Sequence, residues 1–132
     1  MKTFASVLAS AALLLSGATA ASAETPAERG EAQLARMLEG RTAGEPVSCI
    51  TANSSNRLRV IEHVGIVYDA GKTIYVARAA DPKSLGHWDV PIIERFGSQL
   101  CKTDVIRTVD RSGGFLSGVV FLNDFVPYTK AG

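Results

Sequence analysis

The segment His87-Trp88-Asp89 is where side chains capable of chemistry stand closest together. It joins one of two histidines, the single tryptophan and a carboxylate, on a stretch bounded by Gly86 and Pro91. Such a loop can bind a ligand or a partner, because tryptophan is enriched at binding hot spots and histidine titrates near neutral pH. We favour the structural alternative, in which Trp88 folds back over the core and Asp89 accepts local hydrogen bonds.

Several arginines can supply an anion site, because a guanidinium pairs well with carboxylate or phosphate groups. If neighbouring strands bring them together, the site would draw on Arg57, Arg59, Arg78, Arg95 and Arg107. The alternative is a solvated sheet face on which these arginines pair with Glu62, Asp69 or Asp104. The candidate ligand-binding residues are His87, Trp88, Asp89, Arg57 and Arg59.

Motifs for catalysis, metals and cofactors are missing from the sequence. It has no His-Glu-x-x-His or Cys-x-x-Cys spacing for zinc and no Gly-x-Ser-x-Gly elbow, and Gly113-Gly114 lacks the spacing of a phosphate-binding loop. We therefore predict no metal and no cofactor, and we favour a protein that is not an enzyme. A hydrolase that uses His63 or His87 as its base is the alternative, although His63 beside Glu62 is more typical of a surface histidine.

The N-terminal residues have the pattern of a secretory signal peptide. Lys2 supplies a positive charge, an apolar run extends from Phe4 to Leu15, and Ala21-Ser22-Ala23 fits the small-x-small cleavage rule. Cleavage is predicted between Ala23 and Glu24, with 1–23 as the leader. A membrane anchor is the alternative, but the run is shorter than a span of about 20 residues. We predict export to the periplasm or the extracellular space, with no membrane span after cleavage.

Length and charge limit the possible partners. Removing a leader of 23 residues from the 132-residue chain leaves 109 residues, the size of one domain. Without Lys2, the 14 basic residues fall to 13 and equal the 13 acidic residues. Because no basic excess is left to neutralise phosphates, nucleic acid is not an expected partner. A protein or an envelope component is the expected partner.

Cys49 and Cys101 are the two cysteines of the chain. An even number of cysteines in an exported protein indicates a disulfide, and two buried free thiols are the alternative. In the chain-entropy model, a bridge across a loop of this length stabilises the fold by about 4 kcal/mol.

Local patterns predict an α+β fold: an N-terminal helix, then a small antiparallel sheet of about five strands, with one disulfide. Thr25 and Glu28 form a capping-box pattern before a helix that Gly40 ends, and 41–46 is a linker. The segment 24–46 is therefore helix and linker, and 47–132 is the antiparallel β domain.

Two hairpins are predicted within the β domain. One joins β-branched and aromatic runs through an Asp69–Lys72 corner, and a break in alternation near 61–63 precedes it. The other turns at 111–114, and its second arm, 115–126, has the pattern of a central strand buried on both faces. The segment 80–89 is predicted to be a loop, because Pro82, Gly86 and Pro91 interrupt any continuous regular element there.

The residues around the two cysteines resemble a small family of exported proteobacterial domains without an assigned function. The resemblance lies in Ser48-Cys49-Ile50, in Leu100 to Ile106, and in the Asp-Ala-Gly turn between them, and it covers Val47 to about Phe125. It implies a Cys49–Cys101 disulfide and no activity.

Overall fold

The computed structural model describes residues 23–131, so the predicted leader lies outside the described residues apart from Ala23. Helix α1 covers Pro26–Met37 and begins with the predicted capping box. The Glu28 N–H donates to Thr25 Oγ1 at 3.2 Å, and the Thr25 N–H donates to Glu28 Oε2 at 3.4 Å. The helix ends slightly earlier than predicted, and Gly40 follows with a φ of 72°. Within 23–131, no helix is long and apolar enough to cross a bilayer.

The described strands are all antiparallel to their neighbours and form three sheets. They are β1 Arg41–Ala43, β2 Cys49–Thr51, β3 Leu58–Ile61, β4 Gly65–Asp69, β5 Thr73–Ala79, β6 Asp89–Ile93, β7 Gln99–Cys101, β8 Ile106–Asp110, β9 Leu116–Val120 and β10 Leu122–Lys130. The strand orders are β1-β10-β5-β4-β3, β2-β7 and β6-β8-β9. The α+β class is thus confirmed, but the expectation of one sheet was wrong, because β2 and β7 pair with each other, and β6, β8 and β9 form a third sheet.

The β4–β5 hairpin forms as predicted. The Gly71 N–H donates to Asp69 Oδ1 at 2.8 Å, and Gly71 has a φ of 94°, which favours glycine. The predicted break at 61–63 is also present: the chain turns between β3 and β4 with His63 at a φ of 55°. Tyr68 pairs with Tyr75 across the hairpin, which forms the middle of the five-stranded sheet.

The five-stranded sheet has a hydrophobic cluster on each face. On one face, Leu34 of α1 packs with Ile61, Val64 and Val67. On the other face, Phe125 of β10 lies in a larger cluster that takes its members from all three sheets. The protein is therefore layered, with the helix on one side of the large sheet and the two small sheets on the other.

The Cys49–Cys101 disulfide is present, which confirms the predicted bridge and rules out two free thiols. The S–S distance is 2.03 Å, and the two cysteines are directly opposite each other in the β2–β7 pair. The bridge thus joins the two strands of the smallest sheet. Asp104 acts as a turn residue behind it, accepting from the Cys101 N–H at 2.7 Å.

Three expectations about elements were wrong. The predicted linker contains β1, which pairs with β10 near the C-terminus. The predicted loop 80–89 ends where β6 begins, but Pro91, which was expected to interrupt regular structure, lies within β6; the strand tolerates it because β6 is an edge strand of its sheet. The segment 115–126 is divided between β9 and β10. β10 is an interior strand of its sheet and β9 an edge strand; Val120 is buried, but Phe115, Leu116 and Phe121 are 76, 65 and 68 % exposed, because no layer covers that side.

Candidate functional site

A groove of about 480 Å³ lies between β3 and β6. We call it the β3–β6 groove. It is lined by Leu58 to Val60 from β3, Asp89 to Pro91 from β6, and Gln33, Glu62, Gly86, His87 and Arg111 around them. Each of the two strands is the edge strand of its sheet. The groove thus forms where two sheets meet without pairing.

The structure brings three of the five predicted ligand-binding residues to this groove, namely Arg59, His87 and Asp89. Trp88 and Arg57 do not line the groove; Trp88 lies between two lining residues in the chain, and Arg57 lines a neighbouring depression together with Arg59, Asp69 and Gly71. The site predicted from the sequence is therefore present in part.

Asp89 holds the loop in place. Its Oδ2 accepts from the Gly86 N–H at 2.7 Å, and its Oδ1 accepts from the Ser117 hydroxyl at 2.7 Å. The Arg111 N–H donates to the Trp88 carbonyl oxygen at 2.8 Å. The expectation of local hydrogen bonds to Asp89 is confirmed for Gly86, whereas Ser117 belongs to β9 and is 28 positions further along the chain.

Trp88 does not cover the core, so that part of the structural interpretation was wrong. Its side chain is 59 % exposed and packs edge-to-face against His87, with ring centroids 5.1 Å apart. The β8–β9 turn holds the Trp88 backbone in place, but no element covers the indole. An exposed tryptophan beside a groove is a suitable fluorescent probe of that groove.

The side chains of His87 and Glu62 face each other in the lining of the groove. His87 Nδ1 lies 3.5 Å from Glu62 Oε2, and the glutamate side chain is the more buried of the two, at 21 % exposure against 67 %. In the sequence, the histidine next to Glu62 is His63, but the structure places the Glu62 carboxylate against His87. His63 serves the turn, where its N–H donates to the Leu85 carbonyl oxygen at 3.0 Å.

Arg111 is the groove residue that sequence reasoning missed. It lies in the predicted 111–114 turn, and only the β6–β8 register, with Asp89 opposite Asp110, brings it beside the His87 loop. Among residues 23–131, neither Arg59 nor Arg111 forms a salt bridge. Both arginines thus line a groove that also contains Glu62 and Asp89, and neither forms a salt bridge with these carboxylates.

The other predicted arginines do not gather into an anion site, so that hypothesis was wrong for them. Arg78 forms a two-pronged ion pair with Glu31 of α1, at 2.5 and 3.2 Å. These hydrogen bonds are the main reason that the pKa of Arg78 is raised. Arg107 pairs with Glu94 at 3.2 Å. The alternative, in which arginines pair on the surface, therefore describes Arg78 and Arg107, although with other partners than expected.

Arg95 is held by backbone carbonyl groups. It donates to the Ser98 oxygen at 3.0 Å and to the Ala52 oxygen. It lines a second depression of about 360 Å³ with a largely apolar wall that includes Ile93 and Leu100. This depression shares Leu58, Val90 and Pro91 with the β3–β6 groove, so the two form one continuous surface.

Within the described part of the chain, no group of three histidine, cysteine, aspartate or glutamate side chains is arranged to hold a metal ion. Comparison of the sequence with protein-family models, with curated proteins and with solved structures found no match.

Proposed function

We propose that this protein is an exported, non-enzymatic binding module whose β3–β6 groove takes a ligand that carries a carboxylate or phosphate group. The observation that carries the proposal is the presence of Arg59 and Arg111 in one groove without an internal salt bridge. A ligand anion gains charge-assisted hydrogen bonds from both groups and breaks no existing ion pair. The partner is a protein or an envelope component that presents such a group.

The acidic groups of the groove fit this proposal because each already has a partner. Glu62 faces His87, and Asp89 accepts from Gly86 and Ser117. Neither carboxylate forms a salt bridge with Arg59 or Arg111 among residues 23–131, so a ligand anion displaces no ion pair there. The disulfide supports an oxidising compartment, which agrees with export to the periplasm or the extracellular space.

The test uses the fluorescence of Trp88 and the melting temperature of the protein. Citrate, inorganic phosphate, acetylglutamate and acetylaspartate are titrated into the wild type and into the Arg59→Ala, Arg111→Ala and Arg57→Ala variants. We expect at least one of these anions to shift both signals. Removing Arg59 or Arg111 should weaken binding about 10- to 100-fold, because a hydrogen bond to a charged group contributes about 1.5–3 kcal/mol.

Arg57→Ala is the matched control, since Arg57 is exposed, lies two residues from Arg59 and does not line the groove. An equal loss in all three variants would point to nonspecific charge attraction and contradict the proposal. So would the absence of any anion-dependent shift. The hydrolase hypothesis is tested on a panel of ester and peptide substrates, with His87→Ala and His63→Ala. Turnover that either replacement abolishes would refute the non-enzymatic reading.

A further inference from the structure

The three-stranded β6-β8-β9 sheet has one face in the core and one face turned outward. Ile106 of β8 and Val120 of β9 lie opposite each other, and both belong to the larger hydrophobic cluster. Because side chains alternate between the two faces of a sheet, the next pair, Arg107 and Val119, points away from that cluster. Ile92 of β6 lies opposite Arg107, and all three residues are exposed. We call this side of the sheet the outer face.

An irregularity in β9 adds a further apolar side chain to the outer face. The register shifts between Thr108 and Val109, so Ser117 has no residue of its own opposite it. The Ser117 hydroxyl lies 2.9 Å from Oγ1 of the buried Thr108, which places Ser117 on the inner face. Leu116 and Val119 therefore both belong to the outer face, although they are three positions apart.

The outer face exposes about as much apolar surface as a stable interface between two proteins contains. Ile92, Leu116, Val119 and Phe121 are 42–68 % exposed, and Phe121 follows the buried Val120 on the outward side. Side chains of this size carry roughly 150–200 Å² each, so the four expose roughly 400 Å² together. A standard interface buries about 800 Å² on each partner, and somewhat more than half of that area is apolar.

The charges on the outer face are one of each sign. Of the charged residues in these strands, Asp89 and Asp110 lie opposite each other, and Asp89 accepts from Ser117 on the inner face. Arg107 remains, and it pairs with Glu94, which follows β6, at 3.2 Å. A face with one cation and one anion is complementary to a copy of itself related by a two-fold axis.

From this arrangement we infer that the outer face binds a second copy of the protein, with the two three-stranded sheets packed face to face. The apolar side chains of two such sheets interdigitate in a layer about 10 Å thick. Because the predicted mature chain has 13 acidic and 13 basic residues, two copies carry no net charge that would keep them apart. Ile92, Leu116, Val119 and Phe121 do not line the β3–β6 groove, so this interface is independent of the proposed function.

A lipid surface suits the outer face less well. Protein surfaces that lie in the membrane interface combine apolar side chains with several lysines or arginines. The strands of the outer face offer a single guanidinium, that of Arg107, and Glu94 already pairs with it. The composition of the face therefore favours a second copy over a bilayer.

Sedimentation velocity over a concentration series tests the inference on protein purified after export. We expect a shift from monomer to dimer below about 1 mM. Val119→Lys should weaken the dimer at least about tenfold, because it buries a charge in the apolar layer of each copy. Ala35→Lys is the matched control, since it adds the same charge at an exposed position of α1, on the other side of the large sheet, and it should leave the dimer unchanged.

An exchange of charges provides a second measurement. Arg107→Glu and Glu94→Arg should each weaken self-association, because each variant face then carries charges of one sign only. An equimolar mixture of the two should form a heterodimer at least about tenfold tighter than either homodimer. Adding Val119→Lys to both variants should abolish that heterodimer. Circular dichroism checks that every variant is folded.

Three results would overturn the inference. The first is a wild-type protein that stays monomeric up to about 1 mM. The second is a dimer that Val119→Lys leaves intact, since such a dimer would use another surface. The third is a monomer that binds vesicles of phosphatidylcholine and phosphatidylglycerol through Val119, which would assign the outer face to lipid.

Discussion

At the scale of single residues, short hydrogen bonds from loop residues to aspartates define the edges of the site. Asp89 is braced by Gly86 and Ser117, and Asp110 Oδ1 accepts from the Ser112 N–H at 2.7 Å and from its hydroxyl at 2.5 Å. Asp110 directly precedes Arg111, so the geometry of this turn sets the position of the Arg111 backbone, from which the side chain extends. The hydroxyl of Ser112, followed by its N–H, lowers the pKa of Asp110.

Ser112→Ala should raise the pKa of Asp110 towards its ordinary value, because the hydroxyl bond favours the charged carboxylate. A carboxyl group whose pKa is lowered by folding stabilises the protein above its unfolded pKa of about 3.9. That contribution disappears as the pH falls through the lower, folded pKa. The pKa is read from a carbon-detected NMR titration. Ser112→Thr keeps a hydroxyl and serves as the control, and an unchanged pKa in the alanine variant would refute this account.

At the scale of elements, α1 packs closely on the large sheet through a residue that helix propensity disfavours. A Cβ atom at Gly30 would collide with the Glu62 carbonyl oxygen and lie 2.8 Å from Val64 Cγ2. The helix therefore reaches the β3–β4 turn only because position 30 has no side chain. The Arg78–Glu31 ion pair joins the same helix to β5, although an exposed pair of this kind contributes little stability.

Gly30→Ala tests whether the gain in helix propensity or the steric collision has the larger effect on stability. Helix propensity alone would stabilise the variant by about 1 kcal/mol, whereas forcing an atom into a tight contact costs about 1–3 kcal/mol. We expect a lower melting temperature, because the backbone oxygen of Glu62 cannot move away as a flexible side chain would. The measurement is thermal unfolding followed by circular dichroism.

The matched control is the reverse exchange at an exposed position of the same helix. Ala35→Gly should lose about 1 kcal/mol from propensity alone. Alanine would then be preferred at position 35 and glycine at position 30. A more stable Gly30→Ala variant would mean that the helix can move away from the turn at low cost.

At the scale of the whole molecule, three sheets and one helix share two hydrophobic clusters. The two-stranded β2–β7 sheet is the smallest unit, and Ile50 and Leu100 anchor it in the larger cluster. An isolated pair of strands is marginally stable in water, so it depends on this packing and on the disulfide. The second depression, which includes Leu100, depends on the same sheet.

The double variant Cys49→Ala/Cys101→Ala should lose about 4 kcal/mol of unfolding free energy, since the cysteines are 52 positions apart. Urea denaturation measures this loss. Wild-type protein with its disulfide reduced is the control and should unfold like the variant. A variant with the wild-type midpoint would show that packing alone holds β2 and β7 together.

The sequence alone determined the features that depend on neighbours in the chain. The Thr25–Glu28 cap, the Asp69–Gly71 turn and the break near His63 are short-range, because a few side chains meet their own backbone whatever the rest of the fold does. The disulfide could also be predicted, since the leader pattern predicts export and two cysteines have only one way to pair.

Only the tertiary structure decided what lies beside the groove. Arg59 and Arg111 are 52 positions apart, and Glu62 finds His87 rather than His63. These residues come together because of the strand register and the way the sheets stack. The alternation of apolar residues in the sequence encodes neither of these. The apolar run 115–121 carried the pattern of a buried strand. Whether such a run is buried depends on whether another layer of the fold packs against it. The residues of the run alone do not determine this.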